Sequence, residues 1–485
     1  MRRRSAYLSL LVAWSAVLAA PASGFIITPS DPDPWLSTAS GPRTGNGAPA
    51  MLTWSIVPDG TSVTEDTGGS TTPSNLISFL NLNFGGNPAQ PDLTQQPWFH
   101  LFDESFARWE ELGGVNYVYE SHDNGVLLPS SNGALGVRGD IRLGGFNIDG
   151  ASGTLAFTWL PPSGSDMVFD TGDAVFYTNV TNSHVNFRNT VMHELGHGFG
   201  LQHVSSTSNL LMEPIIDTSF DGPQLDEVRG VQFFFGDTNE KTNGGQGNGS
   251  RLLATSLGNI AGGATATVGT AANVPGQFIS AAATDFVSIS NAADTDYYSF
   301  TVSQPSLLGA TLTPRGGVFT QASQGQTPTS FNANARNNLA LTVFDTNGIS
   351  IIAMASANPA GAVEALADAM LPAAGIYYAR ISGADDTIQL YELSLSVAAV
   401  LPGDFSFDNL VDAADYTVWR DGLGSTYTLA DYDVWKSHFG QLAGGGSAGA
   451  LPSHAPVPEP ATVALVAWAG LGLFFPRRRE RTGSW

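Results

Sequence analysis

The stretch HELGHGFGLQH, residues 193–203, decides the fold of the first half of this 485-residue chain. On a helix, His193 and His197 lie four residues apart, so their imidazoles project from one face and can bind one metal ion. Glu194 follows the first histidine, where its carboxylate can reach a water molecule held by the metal. Gly200 can adopt the positive φ that ends a helix, which lets the chain turn and bring His203 back as a third ligand.

Three neutral imidazoles leave an open coordination position on zinc, as catalytic sites require. Zinc bound in this way lowers the pKa of its water to about 7, and a nearby carboxylate can accept the proton when the water attacks a carbonyl. The stretch therefore predicts hydrolysis, with His193, His197 and His203 as zinc ligands and Glu194 as general base. The alternative is an amphipathic helix with surface histidines, which would need the full spacing to arise by chance.

These residues resemble the metzincin pattern HExxHxxGxxH, which is followed by a Met-containing turn under the metal. Met212, in SNLLMEP (208–214), is similar to that turn, and the resemblance implies that it is a structural floor under the site. The run LDEVRGVQ (225–232) resembles the final helix of the matrixin branch of this clan. The resemblance implies an α+β catalytic domain, with a twisted mixed sheet and long helices, over residues 50–240.

Upstream segments extend this resemblance. Residues 106–109 resemble the first helix, residues 140–142 a central strand, and residues 155–157 the edge strand along which family members lay their substrate. Matrixins usually carry a second, structural zinc, and Phe157 and Val168 stand at the positions where the resemblance would place its histidine ligands. We therefore expect no structural zinc. The chain has no cysteine, which excludes a thiol-based latency switch.

Composition limits the partners and the fold. A formal net charge of −23 disfavours nucleic acid and anionic membranes as partners, because like charges repel, and favours calcium. The length of 485 residues predicts several domains, and the 55 glycines and 28 prolines favour mostly β structure over a largely helical protein. Without cysteine, stability must come from apolar cores, metal ions or both.

Both ends carry targeting patterns. Residues 1–24 combine a basic start, an apolar run and small residues, which predicts a secretory signal peptide before a leader segment, residues 25–49. Residues 457–481 resemble the PEP-CTERM sorting tail, which implies transient membrane insertion and cleavage by an exosortase-type enzyme. An uncleaved anchor is the alternative at either end. These patterns predict a secreted protein of the cell envelope or extracellular space.

The middle of the chain predicts an accessory domain. Residues 241–251 are polar and glycine-rich and are typical of a linker. Residues 252–398 contain runs of alternating apolar and polar residues, which favour a β-sandwich accessory domain. This region resembles the pre-peptidase C-terminal domain of secreted peptidases.

The run DFSFDNLVDAAD, residues 404–415, has the spacing of an EF-hand calcium loop. The candidate oxygen ligands come from Asp404, Ser406, Asp408, Leu410 through its carbonyl, Asp412 and Asp415. Asn409 replaces the usual glycine and tolerates the required left-handed conformation. A helix is duplicated, and the two copies are expected to pack through Trp419 and Trp435. The duplication makes residues 402–442 resemble a small α-helical dockerin module before a linker at residues 443–456. This resemblance implies a cohesin-like or envelope partner, and an acidic loop without calcium is the alternative.

Taken together, the patterns predict a secreted zinc endopeptidase that hydrolyses peptide bonds of extracellular proteins. One alternative is a cell-surface adhesion or scaffold protein with an inactive metallopeptidase domain. A second keeps the zinc but makes it purely structural.

Overall fold

The computed structural model describes residues 24–27, 35–65, 69–130, 133–161, 164–274 and 278–442. The chain divides into two compact units, Met1–Ala399 and Val400–Trp485. The predicted signal peptide up to residue 23, the linker at residues 443–456 and the sorting tail lie outside the described residues. Over the part of the chain that is described, no helix has the length and apolar character to cross a membrane.

Residues 24–240 of the first unit, called the peptidase part after the resemblance noted above, contain twelve strands and five helices over the described residues. The strands are β1 (Ile26–Ile27), β2 (Ser37–Thr38), β3 (Gly41–Pro42), β4 (Ala50–Ile56), β5 (Ser62–Thr64), β6 (Thr71–Pro73), β7 (Val115–Tyr119), β8 (Ile141–Phe146), β9 (Ala156–Thr158), β10 (Met167–Asp170), β11 (Leu201–Gln202) and β12 (Val204–Ser206). The helices are α1 (Leu76–Phe84), α2 (Phe99–Glu110), α3 (Ala174–Tyr177), α4 (Val185–Phe199) and α5 (Leu225–Phe235).

A five-stranded mixed sheet forms the frame of this part, in the order β7-β4-β8-β10-β9. The first four strands are parallel, and β9 pairs antiparallel with β10 at the edge. The structure therefore confirms a mixed sheet with β8 at its centre and β9 at its edge. The segment expected as the first helix lies in α2, and the segment expected as the final helix forms α5.

Aromatic side chains hold α2 and α4 in place. Trp54 of β4 stacks on Phe106 of α2, with ring centroids 4.4 Å apart. Trp109 Nε1 donates to the carbonyl of Met192 at 3.1 Å, which ties α2 to α4 within the buried core. Because a buried indole N–H needs an acceptor, this bond fixes the two helices as well as satisfying the donor. Helix α4, which carries the histidine stretch, is thus fixed against the core.

The rest of the first unit, residues 241–399, is rich in β structure and is called the β-rich part or β-rich region. It contains α6 (Thr242–Gly245), β13 (Thr255–Asn259), β14 (Thr265–Val268), β15 (Val287–Ile289), β16 (Thr295–Val302), β17 (Ser306–Arg315), β18 (Val318–Ser323), β19 (Thr329–Asn332), β20 (Leu339–Phe344), β21 (Ile351–Ala355), β22 (Glu364–Leu371), β23 (Gly375–Gly383) and β24 (Gln389–Ala399). One sheet has the order β13-β16-β23-β20-β21, and the other has the order β14-β24-β17-β22 with β15 also on β24. Buried residues of both sheets form one apolar cluster, as a β-sandwich requires.

The peptidase part and the β-rich part share more than the predicted polar linker. Strand β12 pairs with β18, and β18 pairs with β19, in a separate three-stranded sheet that joins the two parts. Phe319 and Phe331 of these strands belong to the apolar cluster of the peptidase part. Lys241 Nζ donates to the carbonyl of Val115 at 3.2 Å, so the segment expected as a linker is itself bound to the peptidase part.

The segment expected as a leader is also bound to the peptidase part. Strand β1 pairs antiparallel with β11, which lies between the second and third histidines of the stretch. The guanidinium of Arg43 donates to the carbonyls of Trp35 at 3.1 Å, Ala48 at 2.8 Å and Phe234 at 2.6 Å. The bond to Phe234 fastens the segment to the end of α5, and the other two bonds lie within the segment.

Within residues 400–442, the described part of the second unit, there are two helices, α7 (Ala413–Gly422) and α8 (Leu429–His438). Trp419 and Trp435 are both buried, as the duplication predicts. Each indole lies against the tyrosine of the other helix: Trp419 is 5.0 Å from Tyr432 and Trp435 is 5.3 Å from Tyr416 between ring centroids. The tyrosine and tryptophan of each helix thus make equivalent contacts with the tryptophan and tyrosine of the other helix.

Candidate metal centre and cleft

The structure brings the three predicted zinc ligands together. Nε2 of His203 lies 3.1 Å from Nε2 of His193 and 3.1 Å from Nε2 of His197. Gly200 ends α4 in the left-handed region, at φ 117°, as the sequence predicts. The turn that follows returns the chain so that His203 faces the two histidines of the helix.

The other ring nitrogens show that this arrangement suits a metal ion. Nδ1 of His193 contacts the carbonyl of Leu211 at 2.6 Å, and Nδ1 of His197 contacts the carbonyl of Leu201 at 2.7 Å. A carbonyl only accepts, so each Nδ1 carries the proton and each neutral ring turns the lone pair of Nε2 inward. Burial lowers the pKa of His193 and lowers that of His197 to about 4, which keeps both rings neutral. Converging lone pairs of neutral imidazoles fit a cation such as zinc.

Glu194 is buried beside the histidines. Burial raises the pKa of Glu194 to about 7, and the hydrogen bond from Thr158 opposes this rise. Thr158 Oγ1 donates to Glu194 Oε2 at 2.7 Å. Sequence reasoning missed Thr158, although it directly follows the run expected as the edge strand. The hydroxyl orients the carboxylate without supplying a competing charge.

Met212 lies against the helix that carries the histidines. A Cβ added at Gly196 would lie 2.4 Å from Sδ of Met212, so the thioether touches the backbone between the two helical histidines. The amide of Met212 donates to Glu227 Oε1 of α5 at 3.1 Å, and its carbonyl accepts from Val204. These bonds fix the turn relative to both α5 and the segment after His203.

A cleft of about 970 Å³ opens over the three histidines and Glu194. One side is formed by residues 152–158 around the edge strand β9, and another by residues 214–216 after the Met-containing turn. The remaining lining includes Ser323 and Gln324, which belong to the β-rich part. The sequence predicted the edge strand, but it did not predict that residues 323 and 324 line the cleft.

Phe157 and Val168, expected in place of structural zinc ligands, are partners across β9 and β10. Val168 is fully buried in an apolar cluster with Val63 and Leu128, and Phe157 packs against that cluster. Apolar packing therefore occupies this part of the sheet.

The candidate calcium residues of the second unit converge in part. One carboxylate oxygen each from Asp404, Asp408 and Asp415 lies within 4.8 Å of the others. Asp412 instead caps α7 by accepting from the amide of Ala414 at 2.7 Å. The same loop contains Asn409 at φ 70°, as predicted. Ser406 accompanies the cluster through its amide, which donates to Asp415 Oδ1 at 2.7 Å.

A further acidic cluster joins the end of the peptidase part to the start of β16. Oxygens of Glu240, Asp294 and Asp296 lie within 4.8 Å of one another, and Asp296 is fully buried. Burial, reinforced by the neighbouring carboxylates Asp294 and Asp237, raises the pKa of Glu240 to about 8. The folded protein therefore favours the protonated form of this group.

This cluster predicts a stability that falls as pH rises. Glu240 ionises near its ordinary pKa in the unfolded chain but only near pH 8 in the folded chain, so ionisation favours unfolding between these values. We expect Glu240→Gln to flatten the fall in Tm between pH 5 and pH 8, measured without divalent cations. Glu104→Gln, at an exposed position of α2, is the matched control. If Tm depends on pH in the same way in Glu240→Gln and in the parent protein, the raised pKa of Glu240 does not account for the fall in stability.

Comparison with known proteins agrees with this geometry. Residues 80–236, about a third of the chain, match the matrixin family. The chain is 29% identical over 164 residues to metalloendoproteinase 2-MMP of Arabidopsis thaliana, covering 32% of this chain and 41% of that protein. It is 29% identical over 147 residues to a hatching enzyme of Paracentrotus lividus, covering 30% of this chain and 24% of that protein. The chain thus spans less than half the length of these relatives.

Similarity to solved structures is weak. The pre-peptidase C-terminal domain of a collagenase from Bacillus anthracis is 14% identical, covers 30% of this chain and 95% of that chain, and has a TM-score of 0.17. The family match over residues 80–236 supports a matrixin-like metallopeptidase domain in that part of the chain, for which a catalytic zinc is implied.

Proposed function

We propose that this protein is a secreted zinc endopeptidase that cleaves extracellular proteins. The observation that carries the proposal is the convergence of three imidazole nitrogens beside a buried glutamate, in a cleft along the edge of a sheet. His193, His197 and His203 would hold zinc through Nε2. Bound zinc would polarise the scissile carbonyl and acidify a water molecule.

The chain's own residues supply binding and proton transfer in this proposal. Strand β9 is at an edge of its sheet, so its backbone can pair with an extended peptide laid in the cleft. Glu194 accepts the proton of the attacking water and then passes it to the leaving amine. The hydroxyl of Thr158 holds the carboxylate of Glu194 in position during both transfers.

The geometry favours this proposal over the two rivals from the sequence. A purely structural zinc is usually enclosed by four protein ligands, whereas this site offers three histidines and borders an open cleft. An inactive domain would not need to keep Glu194 buried and oriented beside the histidines. Adhesion or scaffolding by the other modules remains compatible with peptidase activity.

The direct test uses the full-length protein, because the two parts of the first unit share an apolar cluster. We expect one zinc per chain by elemental analysis and cleavage of denatured casein. Removal of the metal by a chelator should abolish cleavage, and added zinc should restore it. Cleavage that persists after complete removal of zinc would contradict the proposal.

Export and processing at the two ends are part of the same proposal. The basic and apolar pattern of residues 1–24 supports removal of a signal peptide, and residues 457–481 support sorting by an exosortase-type enzyme. Mass spectrometry of the mature protein should find it outside the cell without these segments. An intact intracellular chain would contradict export.

We also propose that the loop at residues 404–415 binds calcium in a dockerin-like module, with a cohesin-like or envelope protein as partner. The meeting of Asp404, Asp408 and Asp415 supports this assignment, since calcium prefers several oxygen ligands. Titration calorimetry with calcium should detect binding that Asp404→Asn weakens. Asp433→Asn, on α8, is the control and should leave binding unchanged. Equal affinity in the Asp404→Asn protein would contradict the site.

A further inference from the structure

The third histidine differs from the other two in the partner of its outer nitrogen. His193 and His197 contact backbone carbonyls of the peptidase part, but Nδ1 of His203 lies 3.0 Å from Oε1 of Gln324. Gln324 is 121 residues further along the chain and directly follows β18 of the β-rich part. If Nε2 of His203 faces the metal, Nδ1 carries the proton and donates it to the amide oxygen.

Gln324 is positioned by strand pairing. In the antiparallel pair of β12 and β18, Val204 is opposite Ser323, Ser205 is opposite Ala322 and Ser206 is opposite Gln321. Since β12 begins one residue after His203, this register places Gln324 beside the histidine. The amide of Gly325 donates to Ser205 Oγ at 3.2 Å and holds the following turn to the same strand.

Buried contacts anchor the hairpin of β18 and β19 on the peptidase part. Gln321 Nε2 donates to Asp226 Oδ2 of α5 at 2.8 Å, and both side chains are buried. Phe319 is fully buried and Phe331 nearly so, in the cluster that also contains residues of α4 and α5. The hairpin is therefore built into the peptidase part, and its position at the cleft is fixed by packing as well as by strand pairing.

We propose that the β-rich region completes the active site: Gln324 is a positioning residue for the third zinc ligand, and Ser323 and Gln324 form a wall of the substrate cleft. This inference rests on the proposed zinc site. An outer hydrogen bond fixes the tautomer and the plane of a ligating imidazole, and loss of such a partner typically lowers metal affinity or activity by about 10–100-fold. The β-rich region is consequently part of the peptidase machinery.

The test measures zinc affinity in full-length variants by competition with a chromophoric chelator. Gln324→Ala should weaken zinc binding by about 10-fold or more, and Gln324→Glu should retain most of the affinity because its carboxylate still accepts from Nδ1. Gln326→Ala, on the same turn and exposed, is the matched control and should bind zinc as the parent does. Thermal unfolding of the chelated proteins should be equal across the set, which separates the role of Gln324 from folding.

The outcomes separate this inference from the proposed function. A parent protein that binds zinc and cleaves casein, with a Gln324→Ala variant of unchanged zinc affinity, would overturn the role of Gln324 alone. A parent protein without zinc binding would overturn both. Equal losses in Gln324→Ala and Gln326→Ala would show a general effect of the turn and would also overturn the assignment.

Discussion

Glu194→Gln should lower kcat/KM for peptide hydrolysis by about 100- to 10,000-fold, the range supplied by a positioned general acid–base group. The glutamine side chain keeps the shape of the glutamate and can still accept the hydrogen bond from Thr158, but it cannot take a proton from water. Zinc content should stay the same, because none of the three histidine side chains hydrogen-bonds to Glu194 in the described structure. Steady-state kinetics with a fluorogenic peptide, together with elemental analysis, provide the measurement.

The control for this prediction is Glu213→Gln. Glu213 adjoins Met212 but is not among the residues that line the cleft, so its change should leave kcat/KM close to that of the parent. Hydrolysis at the parent rate in Glu194→Gln would eliminate the proposed base. Loss of zinc together with activity would instead mean that the substitution disturbs the metal centre.

The residues of the metal centre were predictable because their geometry is local. His193 and His197 share one helix, and Gly200 supplies the turn that returns His203, so the spacing alone brings the three rings together. The edge position of β9 was predictable from the family resemblance. The hydrogen bond of Thr158 was not, because a threonine after a strand carries no distinctive pattern.

The contribution of the β-rich region was not predictable for a different reason. The contact between His203 and Gln324 joins residues that are far apart in sequence, and a lone glutamine in a turn gives no local signal. Three of the four glycines in residues 241–251, the segment expected as a linker, adopt positive φ, at 70° for Gly244, 83° for Gly245 and 65° for Gly247. A glycine-rich composition indicates a loop whether the segment is a free linker or is held in place. Only the tertiary contacts show that this loop is bound to the peptidase part.

Arg142→Met should give the largest loss of stability among the substitutions considered, because Arg142 is paired inside the core. Its guanidinium donates to both carboxylate oxygens of Asp123, at 2.6 and 2.8 Å, and the two side chains are 0% and 1% exposed. Burial acts to raise the pKa of Asp123, but the hydrogen bond from Arg142 contributes to a net lowering. Removing one partner of such a pair leaves an uncompensated buried charge and typically costs about 3–5 kcal/mol.

The double variant Arg142→Met with Asp123→Leu tests this explanation. If the loss comes from the unpaired carboxylate, removing that carboxylate should recover part of the free energy of unfolding, measured by denaturant titration of the zinc-loaded protein. Arg188→Met is the control, since its ion pair with Asp221 is 13% and 28% exposed and should contribute at most about 1 kcal/mol. Equal losses for Arg142→Met and Arg188→Met would contradict the argument. A double variant less stable than Arg142→Met would instead assign the loss to packing around the central strand.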